Sequence, residues 1–219
     1  MVREYSLTMS KIKPQEANKS RSESSGRILR EAMRLFAERG YERTSVGDIQ
    51  QAAGLTFGSG ALYKHFPSKQ AVLEAGIEEF IEKSEREQEA FARLPEEPGA
   101  AFTYIAEAVT SFLASDRDTL RIVWRELEHF PDLQKKVRER RIQRGFKNLA
   151  AWLQKQVDEG RLREHDTESV AAAILGSLVY YRLMEALMGK TPGGVDAERF
   201  TRAWVDLVVS ALNQKGKKR

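Results

Sequence analysis

Cysteine is missing from all 219 positions. That excludes a disulfide framework, a thiolate metal site and a cysteine nucleophile. Histidine is scarce: His65, His129 and His165 lie far apart, and no two have the i,i+4 spacing of metal ligands on a helix. Proline is sparse, at six residues, and nothing repeats every 20–50 residues, which argues against low-complexity and solenoid architectures. Gly58-Ser59-Gly60 lacks the Lys-Ser/Thr and the preceding strand of a phosphate loop. No cofactor and no metal are expected, and no catalytic set can be assembled. The longest apolar runs are broken by charge before membrane-spanning length, and the N-terminus has no signal-type apolar core. The expectation is a cytoplasmic protein with no membrane partner. No stretch keeps a period-two alternation of β-branched residues, so the chain reads as all-α.

What is present is charge, unevenly spread. The net charge is +4. Residues 1–69 hold twelve Lys/Arg against seven Asp/Glu, and the tail KGKKR adds four more positive charges, so residues 70–214 stand at −5. A polyanion partner needs such a positive end, because neutralised phosphates release counterions.

That end contains the most informative stretch, SVGDIQQAAGLTFGSGALYKHFPSK, residues 45–69. Ser45 and Asp48 make a capping box. Val46, Ile49 and Ala53 recur at helical spacing, and Gly54 ends the helix. After a turn of small residues, Ala61 to Phe66 form a second short helix with Leu62 and Phe66 inward. Pro67 closes it. Upstream, Ile28, Leu29, Ala32, Met33, Leu35 and Phe36 give a third helix over 25–39, stopped by Gly40.

At this point ILREAMRLFAERGYERTSVGDIQQAAGL and GALYKHFPSKQAVLEA resemble the N-terminal domain of TetR-family transcriptional regulators. The resemblance covers roughly residues 25–80. One departure is an insert of two residues between AG and LY, near Phe57–Ser59. The resemblance implies a three-helix helix-turn-helix domain followed by a larger helical ligand-binding and dimerisation domain. The divisions are 1–24, a flexible arm; 25–70, the DNA-binding domain; and 71–215, the ligand-binding and dimerisation domain. Duplex operator DNA is then the partner. Its candidate contacts are Thr44, Ser45, Thr56, Phe57, Gly58, Ser59, Gly60, Ala61, Tyr63, Lys64, His65 and Lys69. Residues 61–65 enter the major groove, and Tyr63, Lys64, His65 and Lys69 hold phosphates.

Beyond Lys69, a helix of about 24 residues would span about 36 Å and act as a lever between domains. Apolar segments follow at 100–114, 120–130, 133–157, 169–188 and 200–212. The last two look too apolar for a monomer surface. They are expected to build a homodimer through Leu178, Tyr181, Trp204 and Val208. Burial within one subunit is the alternative.

Aromatic and polar residues of the middle helices are the candidates for a ligand cavity: Tyr104, Phe112, Arg121, Trp124, Arg125, Phe146, Trp152 and Tyr181. Any one of them is also explained as core. The acidic body favours an apolar small molecule, neutral or cationic, in a cavity of at least about 300 Å³. The basic run KKVRERRIQRGFK reads as a solvated helix face. The functional expectation is a DNA-binding regulator, a repressor released by its ligand. The competing readings are a DNA-binding protein without a ligand switch and an all-helical enzyme.

Overall fold

The computed structural model describes residues 14–56, 60–90 and 94–213. It is all-α, with no sheet among the described residues. A single bridge joins Leu162 to Asn213. The N-terminal unit comprises α1 (Pro14–Arg39), α2 (Val46–Ala52), a 3-10 turn (Ala61–Lys64) and the start of α3 (Lys69–Ala90). The body adds α4 (Pro98–Ser115), α5 (Arg117–Glu126), α6 (Pro131–Lys136), a π-helical turn (Val137–Gln143), α7 (Arg144–Asp158), α8 (Thr167–Met188) and α9 (Ala197–Leu212).

Three of these elements differ from the sequence reading. Helix α1 starts at Pro14, where a flexible arm through residue 24 was expected; residues 1–13 lie outside the described residues. The segment expected as one helix over 133–157 is α6, a π turn and α7. Periodicity alone does not separate a π turn from α-helix, because Leu133 of α6 and Val137 at the start of the turn still fall four apart. Finally, α8 is long and apolar enough by composition to cross a membrane, contrary to the expectation that no run reaches that length. Its charges, Glu168, Arg182 and Glu185, fall near its two ends and leave residues 169–181 uncharged. One face of α8 packs on α4, α5 and α7 as an interior helix of the bundle.

Ile28, Ala32, Leu35 and Phe36 of α1 are buried against Ile49, Leu62, Leu73 and Ile77. On α3, Gly76 lets α1 approach: a Cβ there would collide with the Met33 side chain. Helix α1 also packs on α5, and α3 packs on the π turn. The small unit is thus fixed to the body by two helices, α3 and α5.

Candidate nucleic-acid interface and ligand cavity

The Ser45–Asp48 box forms as its spacing requires. The Asp48 amide donates to Ser45 Oγ at 3.1 Å, and the Ser45 amide donates to Asp48 Oδ2 at 2.8 Å. The Ser45 hydroxyl donates to the same carboxylate at 2.6 Å. These bonds hold the Asp48 carboxyl below the usual range. Gly54 and Gly60 bracket the connection with φ of +66° and +64°, the left-handed region glycine tolerates best. Between them, Phe57, Gly58 and Ser59 lie outside the described residues.

Residues 61–64 form a 3-10 turn, tighter than the α-helix expected there. Leu62 and Phe66 are buried, which leaves Tyr63, 57% exposed, and Lys64 facing outward. Ala61 and His65 are half-buried, and Thr56 is exposed. Tyr63, Lys64, Ala61, Gly60 and Thr56 therefore stand on the accessible side of the unit.

Two candidates stand elsewhere. Thr44 is buried, and its hydroxyl donates to the Gly40 carbonyl at 2.9 Å, closing the end of α1. Lys69 Nζ donates to the Tyr41 carbonyl at 2.9 Å and lies 4.0 Å from the centroid of the Tyr41 ring. A short polar side chain after a helix stop, or a lysine opening a helix, reads as a surface group in sequence. Here both are used to close the α1–α2 corner. The Tyr41 ring also meets Phe130 edge-on at 4.9 Å, which ties this corner to the body; burial pushes its phenol pKa up.

The body contains a cavity of about 210 Å³, smaller than the size expected. Its walls come from α3, α4, α5, the π turn, α7 and α8. Of the eight candidates, it brings together Phe112 and Trp124; the latter is 65% exposed at the mouth. The other six lie elsewhere. Tyr104 is at the outer surface, Arg125 is exposed, and Arg121 and Phe146 are half-buried away from the cavity. Trp152 packs edge-on against Phe102 at 5.4 Å. Tyr181 stacks on Phe200 at 3.9 Å and donates its hydroxyl to the Val195 carbonyl at 2.9 Å. Large rings were needed where α4, α7, α8 and α9 meet, and spacing does not say which ring meets a void.

The cavity also has polar walls the sequence did not reveal: Ser84 and Glu87 of α3, Arg141 of the π turn and Asn148 of α7. The Arg141 guanidinium lies 4.9 Å from the Phe112 ring, and burial draws its pKa down, with Glu87 opposing. Burial pushes the Glu87 carboxyl up. The basic run is exposed at Lys135, Lys136, Arg138, Arg144 and Lys147, as a solvated face should be, but part of it also meets α3. Arg140 donates to both Glu85 oxygens, at 3.1 and 2.8 Å, and to Glu78. Arg144 reaches Glu85 at 3.3 Å. The complementary signs of EKSERE and KKVRERR were the available signal.

Leu178, Tyr181 and Trp204 are buried within the single chain, so they are not on its outer face; Val208 is half-buried. Trp204 Nε1 donates to Ser177 Oγ at 2.8 Å. The large apolar residues left outside on α8 and α9 are Tyr180, Met188 and Leu207, the last 70% exposed. Among the described residues no cluster of metal-ligating side chains occurs.

Residues 28–76 match the family described as bacterial regulatory proteins, tetR family. Residues 100–211, half of the chain, match the AefR-like transcriptional repressor C-terminal domain. The chain belongs to the TetR family. It is accordingly a helix-turn-helix transcriptional regulator. ArpR of Pseudomonas putida, an HTH-type transcriptional regulator, is 28% identical over 202 residues, covering 87% of this chain and 91% of that one. KstR2 of Mycolicibacterium smegmatis, an HTH-type repressor, is 40% identical over 55 residues, 25% of this chain and 26% of that protein. That likeness spans about a quarter of the relative's length. The solved ketosteroid regulator KstR2 of Mycobacterium tuberculosis shares the fold, with a TM-score of 0.68 at 22% identity over 87% of this chain and 95% of that one.

Proposed function

We propose that the protein is a homodimeric repressor, released from operator DNA when a small apolar molecule fills the cavity. The observation that carries this reading is shared walls. Helices α3 and α5 line the cavity, and the same two helices hold the DNA-binding unit. A ligand that favours another position of either helix also favours another position of the reading turn, to the extent of its differential affinity for the two states.

On this reading, residues 25–70 bind DNA and residues 71–215 bind ligand and partner. Tyr63, Lys64 and Ala61 meet the major groove; His65 and the α2 start at Ser45 meet phosphates. Lys69 acts through Tyr41. The partner subunit covers Tyr180 and Leu207, and Gly176 on the same outer side admits close approach, since nothing stands within 4 Å of a Cβ built there. The protein catalyses no reaction and works in the cytoplasm. The test is selection of bound duplexes from a random pool by the purified protein, followed by gel shifts of the selected site. Recovery of a two-fold symmetric site is expected. Recovery of no sequence, or equal binding by a fragment lacking residues 1–75, would refute the reading.

A further inference from the structure

Ser84 is the anomaly in the cavity wall. It is 2% exposed, and its Oγ has no hydrogen-bond partner among the described residues. Hydroxyls on helices ordinarily bond back to a carbonyl one turn earlier. In this protein Thr103 does so to Gly99, Thr110 to Ala106 and Ser177 to Ile174, at 2.9, 2.7 and 2.8 Å. Ser84 does not, and it lines the cavity. A buried hydroxyl left unpaired is unfavourable and calls for a partner.

The rest of the wall restricts that partner. Phe80, Val109, Leu120 and Leu175 make most of it apolar. Its two charges are opposite in sign, Arg141 and Glu87, and cancel. Glu87 is exposed, so the interior of the wall is mostly apolar, and a charged ligand would lose hydration there that a neutral molecule does not. A volume of about 210 Å³ exceeds the ~150 Å³ that accepts benzene in an apolar engineered cavity. One ring with a short substituent fits that space.

Resting on the reading of this cavity as the ligand site, we propose that it takes a neutral, single-ring apolar molecule with one hydroxyl or carbonyl oxygen, bonded by Ser84 Oγ. Ser84 is then a specificity-determining residue. It lies on α3 beside Glu85, which Arg140 holds from the π turn. The bound oxygen therefore touches the helix that opens at the DNA-binding unit.

The experiment is calorimetric titration of the full chain and of Ser84→Ala with 4-ethylphenol, 4-ethyltoluene and 4-ethylbenzoate. The toluene keeps the shape and loses the hydroxyl; the benzoate adds a negative charge. The phenol is expected to bind the wild-type protein roughly tenfold tighter than the toluene, and Ser84→Ala is expected to abolish that difference. Because the hydroxyl has no partner among the described residues, Ser84→Ala should melt no lower than wild type. Equal binding of phenol and toluene, or a preference that survives Ser84→Ala, overturns the assignment of Ser84 while leaving the cavity a ligand site. Tightest binding of the benzoate overturns the neutral class. Binding of none of the three overturns the cavity reading, and this proposal with it.

Discussion

Lys69 separates two kinds of role that look alike in sequence. As the lysine of a conspicuous DNA-binding stretch, it invites assignment to a phosphate. In the structure its ammonium is turned to the Tyr41 carbonyl and ring, joining the start of α3 to the corner after α1. A hydrogen bond from a charged donor contributes about 1.5–3 kcal/mol, and a cation over a ring at a partly exposed site about 0.5–1 kcal/mol. The lower end of each range applies, because Lys69 is half-exposed and the Tyr41 carbonyl also accepts from the Thr44 amide at 3.2 Å. Lys69→Met should therefore destabilise the fold by about 2 kcal/mol. For a chain of this size, that lowers the melting temperature by about 4–8 °C. The assay is thermal unfolding by circular dichroism, paired with the salt dependence of operator binding. The slope of log affinity against log salt should stay the same, since no phosphate contact is lost. A melting temperature equal to wild type, with the slope reduced by about 0.9, would refute the reasoning and return Lys69 to the phosphate backbone.

Tyr63→Ala removes an exposed side chain, so melting should shift by less than about 2 °C while operator affinity falls about tenfold or more; affinity equal to wild type would take Tyr63 out of the interface. Leu207→Glu places a charge on the outer face of α9 and should give folded monomers by light scattering, whereas Leu178→Glu places it inside the bundle and should unfold the body. A folded, dimeric Leu207→Glu would put the interface elsewhere. The carboxyls of Asp48, Asp166 and Glu85 are held low by bonds from Ser45, Ser169 and Arg140 respectively. Their folded values lie below their unfolded ones, so the stabilisation is complete above about pH 5 and is lost as pH falls through the folded values, below about pH 4. Melting curves from pH 7 to pH 3 should show that loss, and Arg140→Met should flatten part of it; a melting temperature constant down to pH 3 would contradict the assignment.

The DNA-binding unit was legible because its signals are local. A capping box, glycine stops and apolar residues three and four apart act within one or two turns, and they placed α2, Leu62 and Phe66 correctly. The cavity was not legible to the same degree. Phe112 and Trp124 line it, whereas Tyr181 and Trp152 are equally aromatic and serve the core. Which face of a helix meets a void depends on how six elements cross, and no local pattern encodes that. Leu178, Tyr181 and Trp204 were misplaced for a related reason. An interior helix and an interface helix are both apolar, and only the packing of α4, α5 and α7 onto α8 shows which of its faces is already covered.

The π turn at Val137–Gln143 gives two consecutive residues opposite duties: Arg140 holds the carboxylates of α3, and Arg141 leans over Phe112 in the cavity. A π turn carries one residue more than the α-helix it interrupts. Deleting a single codon within it would close the turn to α-helix and take one position out of the segment that now carries both contacts. On the function proposed above, selection for repression that no small molecule relieves should therefore collect single-residue deletions in these seven residues.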